Sequence, residues 1–181
     1  LSGQAQLPAI DITATGTALL TDSIVVADDD VAAVVNAGRL VAVRSGLAPL
    51  RVCSPDECYG TDVAVHTTAT GETHLAASAT HAVGTEPTVL ARCSGTPPVS
   101  HRYVHLEAPC GGTPSIGDST GPSGLTYDSL GTITVQATSP LVDAIPLGDP
   151  LCDTTAFDLH GVVPRGGDGD GDGEAGCDIG G

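Results

Sequence analysis

A chain of 181 residues has room for one well-filled core or two small ones. Its net charge of −16, from 22 acidic residues against six arginines and no lysine, disfavours nucleic-acid phosphates and anionic lipid headgroups and favours capture of cations. With one Phe, three Tyr, no Trp and no Met, the interior must be built from Val, Ala, Leu and Ile, and no apolar run is long enough for a membrane helix.

Strand signals dominate, because short Val/Ile/Leu/Thr runs are punctuated by Gly, Pro, Ser and Asp. In chain order the runs are Ala9 to Thr15, Ser23 to Ala27, Arg39 to Arg44, Leu50 to Cys53, Val63 to Thr67, Thr73 to Ala77, Thr88 to Cys93, Tyr103 to Leu106, Thr132 to Ala137 and Leu141 to Ile145. Between the second and third, Asp30 has the chemistry to cap a short helix ended by Gly38. An internal repeat favours strand there instead. Asp30-Val-Ala, Gly38, Leu40-Val-Ala and Ser45 match Asp62-Val-Ala, Gly71, Leu75-Ala-Ala and Ser78.

Each copy reads as a hairpin followed by a strand, in units near 30–58 and 62–98, with a more divergent copy near 128–160. The predicted fold is all-β, with repeated hairpin-plus-strand units arranged as a β-propeller, β-trefoil or sandwich. Residues 111–129 hold little that fills a core and read as a long loop. The β-rich domain is expected over 1–160, followed by an acidic Gly/Asp-rich tail or linker over 161–181.

The six cysteines, Cys53, Cys58, Cys93, Cys110, Cys152 and Cys177, form an even set with no Cys-x-x-Cys pair. That pattern argues for disulfides in an oxidising compartment and against a zinc ribbon or a thioredoxin-like site. Proximity pairs Cys53 with Cys58, Cys93 with Cys110 and Cys152 with Cys177 among the 15 connectivities six cysteines allow.

Asp168, Asp170, Asp172, Glu174 and Asp178 are the candidate calcium ligands, because alternating carboxylates and glycines can turn several oxygens onto one hard cation. The run departs from an EF-hand loop, whose late bidentate Glu is replaced by Ile179. With Cys177-Asp178 at its end, the segment from Asp168 to Asp178 resembles the thrombospondin type 3 calcium repeats, and nothing upstream shares the likeness. That resemblance implies a calcium-ordered junction in an extracellular protein.

If the second hairpin turns at Ala69-Thr70-Gly71, His66 and His74 face one another and His81 closes a three-nitrogen site for zinc or copper. His101 and His105 share one face of a strand. Gly117-Asp118-Ser119-Thr120-Gly121-Pro122 is similar to the nucleophile loop of chymotrypsin-like proteases but fails at Thr120, and His81 lies too close upstream for that fold. No carboxylate pair stands out for glycosidase chemistry. The expectation is therefore a secreted or cell-surface structural or adhesive module, not an enzyme, working through protein partners or self-assembly. A secreted metal- or glycan-binding module is the alternative, and a small secreted hydrolase a third.

Overall fold

The computed structural model describes residues 7–27, 31–53, 58–84, 90–127, 133–155, 171, 173 and 175–179. These are all-β, with no helix, and the strands stack in parallel sheets. The first coil of chain runs through β1 (Ile10–Ile12), β2 (Thr17–Thr21) and β3 (Ile24–Ala27). The second runs through β4 (Val34–Asn36), β5 (Arg39–Val43) and β6 (Gly46–Cys53), with β7 (Cys58–Gly60) folded back on the end of β6. The third uses β8 (Val63–Thr67), β9 (Glu72–Ala76) and β10 (Ala79–Thr80), and adds β11 (Val83–Gly84). The fourth uses β12 (Arg92–Gly95), β13 (Val99–Arg102) and β14 (His105–Leu106), and β15 (Ser119–Thr120) adds one further rung.

Each strand pairs with its counterpart one coil away: β1-β4-β8-β12 form one sheet, β2-β5-β9-β13 a second, and β3-β6-β10-β14-β15 a third. The result is a parallel β-solenoid in which every coil buries its apolar face against the next. Val34, Val65, Leu40, Ala42, Leu47, Leu75 and Val104 fill the interior, all at 1% exposure or less. The small residues noted in the sequence suit this narrow core.

Two corners recur. Between the second and third sheets one residue per coil takes a left-handed conformation: Asp22, Arg44, Ala77 and Tyr103, with φ of 49, 49, 48 and 50°. In the first three coils a serine follows, and the hydroxyls of Ser23, Ser45 and Ser78 donate to the carbonyls of Thr21, Val43 and Ala76. Between the first and second sheets the chain turns at Gly16, Gly38 and Gly71. There, Arg39 N donates to Gly16 O and Glu72 N to Gly38 O. A polar network fills the same corner: buried Asn36 donates from Nδ2 to Glu72 O and Thr73 Oγ1, both at 2.9 Å, and accepts from Gly38 N.

The hairpin-built propeller, trefoil or sandwich expected from the sequence is therefore corrected. β4 and β5, and β8 and β9, lie in different sheets and never pair with each other. Gly38 and Gly71 mark close approaches between coils, not hairpin turns. The repeat itself is real for Gly38 with Gly71 and for Ser45 with Ser78, but Leu40 stands beside Thr73 and Ala42 beside Leu75, a two-residue slip from the sequence alignment. Strand wins over helix at Val34–Asn36.

In the third copy expected near 128–160, the described residues 133–155 do not form a coil, and the rest of it lies outside the described residues. β16 (Leu125–Tyr127) and β17 (Ile133–Val135) form an antiparallel pair, and β18 (Ile145–Pro146) pairs antiparallel with β19 (Gly176–Cys177). Leu141, Ile145, Cys152, Cys177 and Ile179 pack on Ala77, Ala79 and Tyr103, so this segment covers the outer face of the third sheet. The 111–129 stretch is not featureless either, since it supplies β15 and β16.

Cys93–Cys110 and Cys152–Cys177 are disulfides, as proximity suggested. Cys53 and Cys58 are register partners in β6 and β7, with side chains outside the described residues. Cys93–Cys110 staples the chain leaving the fourth coil back onto β12, where Ala108 N also donates to Ala91 O. Cys152–Cys177 holds the last described strand onto the cover. Closing a loop of 25 residues restricts the unfolded chain by about 3 kcal/mol. A Cys152→Ala/Cys177→Ala variant should lose that amount, read as a lower midpoint in guanidinium unfolding with a somewhat steeper slope, because the freed unfolded chain exposes more surface.

Candidate functional site

The structure disperses the histidines that the hairpin reading brought together. His66 lies on β8 in the first sheet, with Nδ1 2.7 Å from Ser94 Oγ on the neighbouring coil. His74 lies on β9 in the second sheet. His81 follows β10 in the third sheet, 2% exposed. With β8 and β9 in separate sheets, the His66 and His74 positions are not cross-strand partners.

His74 instead meets His101, one coil further on. The rings stack with centroids 5.2 Å apart at 21°, and Nδ1 of His74 is 3.0 Å from Nε2 of His101. Glu72, two residues before His74 on the same strand, places Oε2 3.6 Å from His74 Nε2. His101 stands two residues after Val99, the register partner of His74, so strand alternation puts it on the same outward face, at the point where the β13 register slips between Ser100 and Arg102.

Beneath the cover lies a second polar group. His105 is fully buried; its Nε2 donates to Gly121 O at 2.9 Å, which leaves Nδ1 to accept from Ser119 Oγ at 2.8 Å. Burial lowers the His105 pKa, against the opposing pull of the Gly121 carbonyl and Glu107. Ser119 belongs to the Gly-Asp-Ser run, so the pair joins a serine to an imidazole. The second ring nitrogen is spent on a backbone carbonyl, and the contact ties β15 to β14. Asp118 supports the same junction, accepting from Val104 N at 2.9 Å and Ser115 N at 2.7 Å.

Glu107 is a buried carboxylate with every lone pair in use. Oε2 accepts from Ala82 N at 2.6 Å and Ala91 N at 2.8 Å, and Oε1 accepts from the backbone N and the hydroxyl of Ser123. His81 is the opposite case: among the described residues neither ring nitrogen has a hydrogen-bond partner. Its ring lies over Gly46, where an added Cβ would come within 2.5 Å of Cε1. Burial, with a smaller contribution from His105, pushes its pKa down to about 4 from 6.5.

The unfolded chain therefore takes up a proton near pH 6.5 that the folded chain refuses until about pH 4. Stability from this group is complete above pH 6.5 and lost as pH falls through that window. The loss amounts to about 3 kcal/mol, at 1.36 kcal/mol per pH unit. A denaturant midpoint followed from pH 7 to pH 4 should fall accordingly, and His81→Leu should flatten that part of the profile.

Where β15 continues the third sheet without a fifth strand in the second, the loop Pro109 to Pro114 crosses the end of the core. A cavity of about 170 Å³ remains there, lined by apolar groups that include Leu75, Val104, Leu106 and Pro109.

Of the candidate calcium ligands, Asp168, Asp170, Asp172 and Glu174 lie outside the described residues. Asp178 is described, and its Oδ1 accepts from Asp143 N at 3.0 Å while Asp143 Oδ1 accepts from Gly176 N. This end of the acidic segment is thus anchored on the cover. Among the described residues no group of three or more His, Cys, Asp or Glu side chains converges on a metal position. No protein-family model, curated protein or solved structure matches the chain, so its sites rest on their own geometry.

Proposed function

We propose that this chain is an extracellular structural or adhesive module, a disulfide-locked β-solenoid whose outer faces meet protein partners or further copies of itself. The observation that supports it is the unbroken parallel stack of coils with a disulfide-tied cover on one face. Such a stack holds extended surfaces in fixed relation, which suits docking and load-bearing more than turnover. Disulfides of this kind persist in oxidising compartments, in keeping with a secreted or cell-surface site. A charge of −16 suits solubility there and repels polyanions.

The aspartates of the C-terminal segment supply the second element, a calcium-ordered junction next to the anchored Asp178. Calcium should slow protease cleavage within residues 161–181 by about tenfold or more, since binding only the ordered form depletes the cleavable one. Asp168→Asn/Asp170→Asn/Asp172→Asn should abolish the protection. Negative-stain images and sedimentation with calcium and with chelator test assembly in the same samples. Calcium-independent cleavage would remove the junction from this reading, and turnover of any substrate in a broad hydrolase panel would overturn it.

A further inference from the structure

We propose that His74 and His101 form an open two-imidazole site for a divalent transition metal on the outer face of the second sheet, with Glu72 orienting His74 from behind. The site goes beyond the structural role above and does not depend on it.

The geometry supports two ligands and a supporting carboxylate. Two nitrogens that share a tetrahedral metal at about 2.0 to 2.1 Å stand roughly 3.3 Å apart. His74 Nδ1 and His101 Nε2 are already 3.0 Å apart. A small opening of the pair, with the shared proton moving to the other nitrogen of the ring that carries it, frees both facing lone pairs and converts the contact into a chelate. His101 is exposed, so the opening has room.

The other nitrogen of His74 explains Glu72. Nε2 is buried and has no hydrogen-bond partner among the described residues, and Glu72 places Oε2 3.6 Å away on a side chain that is 69% exposed. A shift of under about 1 Å by that mobile carboxylate makes an Nε2–H···Oε2 hydrogen bond at ordinary length. This is the usual arrangement behind a metal-bound imidazole: the carboxylate holds the proton on the far nitrogen and leaves the near one as a lone pair. It also accounts for the lack of a three-ligand cluster, because Glu72 acts through His74 and not on the metal. Imidazole nitrogens select zinc, copper or nickel over calcium and magnesium. The remaining coordination positions stay open to water or to a donor from a docked partner.

Titration of the metal-free, disulfide-intact protein with Zn(II) is the test, with Cu(II) electron paramagnetic resonance as a second readout. One zinc per chain is expected, and a copper spectrum with coupling to two nitrogens. His74→Asn and His101→Asn should each weaken zinc at least tenfold and leave one coupled nitrogen at this site, whereas His66→Asn leaves both readings unchanged. Glu72→Gln should weaken zinc about 10- to 100-fold while keeping two nitrogens. Circular dichroism and unfolding midpoints establish that each variant is folded. Failure of the wild type to bind either metal at millimolar concentration overturns the proposal. So does binding that survives both histidine substitutions in folded protein.

Discussion

Gly38→Ala should destabilise the protein by at least about 4 kcal/mol, enough to leave much of it unfolded at ambient temperature. A Cβ at this position would stand 2.2 Å from Gly16 O and 2.3 Å from Thr13 O. Both are backbone atoms of the preceding coil, so no side-chain rotation relieves the clash. Gly16 O is also the acceptor for Arg39 N, and pushing it away breaks a hydrogen bond between coils. The same argument applies one coil on, where a Cβ at Gly71 would meet Asn36 O at 2.3 Å. Gly148 is the internal control. It has a φ of 88° but nothing within 4 Å among the described residues, so Gly148→Ala should cost only about 1 to 2 kcal/mol of left-handed strain. Urea midpoints of the three variants separate steric exclusion between coils from backbone preference. Equal losses at Gly38 and Gly148 would remove the case for a packed glycine corner.

Glu107→Ala should cost about 4 kcal/mol, because it strands donors from three separate segments at once. Ala82 N follows β10, Ala91 N precedes β12, and Ser123 belongs to the cover, yet all converge on one buried carboxylate. None of these groups can turn to solvent without parting the cover from the third sheet. Glu107→Gln keeps the shape but presents one NH2 to donors, so it should fall between Ala and the wild type. Amide hydrogen exchange locates the effect: protection should fall first in residues 121–127 and at Ala82 and Ala91. A change confined to the first two coils would show that Glu107 does not hold the cover.

Much of the local structure was legible in the residues. Val63–Thr67 is a strand with the bounds its alternation suggested, and Cys93–Cys110 and Cys152–Cys177 pair as their spacing suggested. Gly38 with Gly71 and Ser45 with Ser78 marked a repeat that the coils bear out. β2 was not marked as a strand, although Thr17-Ala-Leu-Leu-Thr alternates in burial between Gly16 and Asp22, because its apolar run is only three residues long. The described part of the third copy, residues 133–155, stands outside the stack, because Thr- and Val-rich runs look alike whether they join a parallel stack or an antiparallel pair.

The candidate site was harder to read for the same reason. His66 and His74 sit eight positions apart and invited a hairpin, whereas His74 and His101 lie 27 apart and no local pattern joins them. The pairing of Val99 with His74 across coils decides that His101 stands on the same outward face, and one residue of slip in that pairing would have set Ser100 there instead. Glu72 was noticed in no motif, since a lone Glu on a strand is ordinary.

By itself, then, the sequence determined an all-β chain with a thin Val/Ala/Leu core, two disulfide pairs and an acidic C-terminal run. These follow from composition, alternation and spacing, which act over a few residues. Only the tertiary structure decided that the strands stack in parallel coils, that the glycines are points of contact between coils, and that His74 meets His101. Those depend on which distant residues share a rung, and register between coils is set by packing of whole faces and corners, not by any local signal.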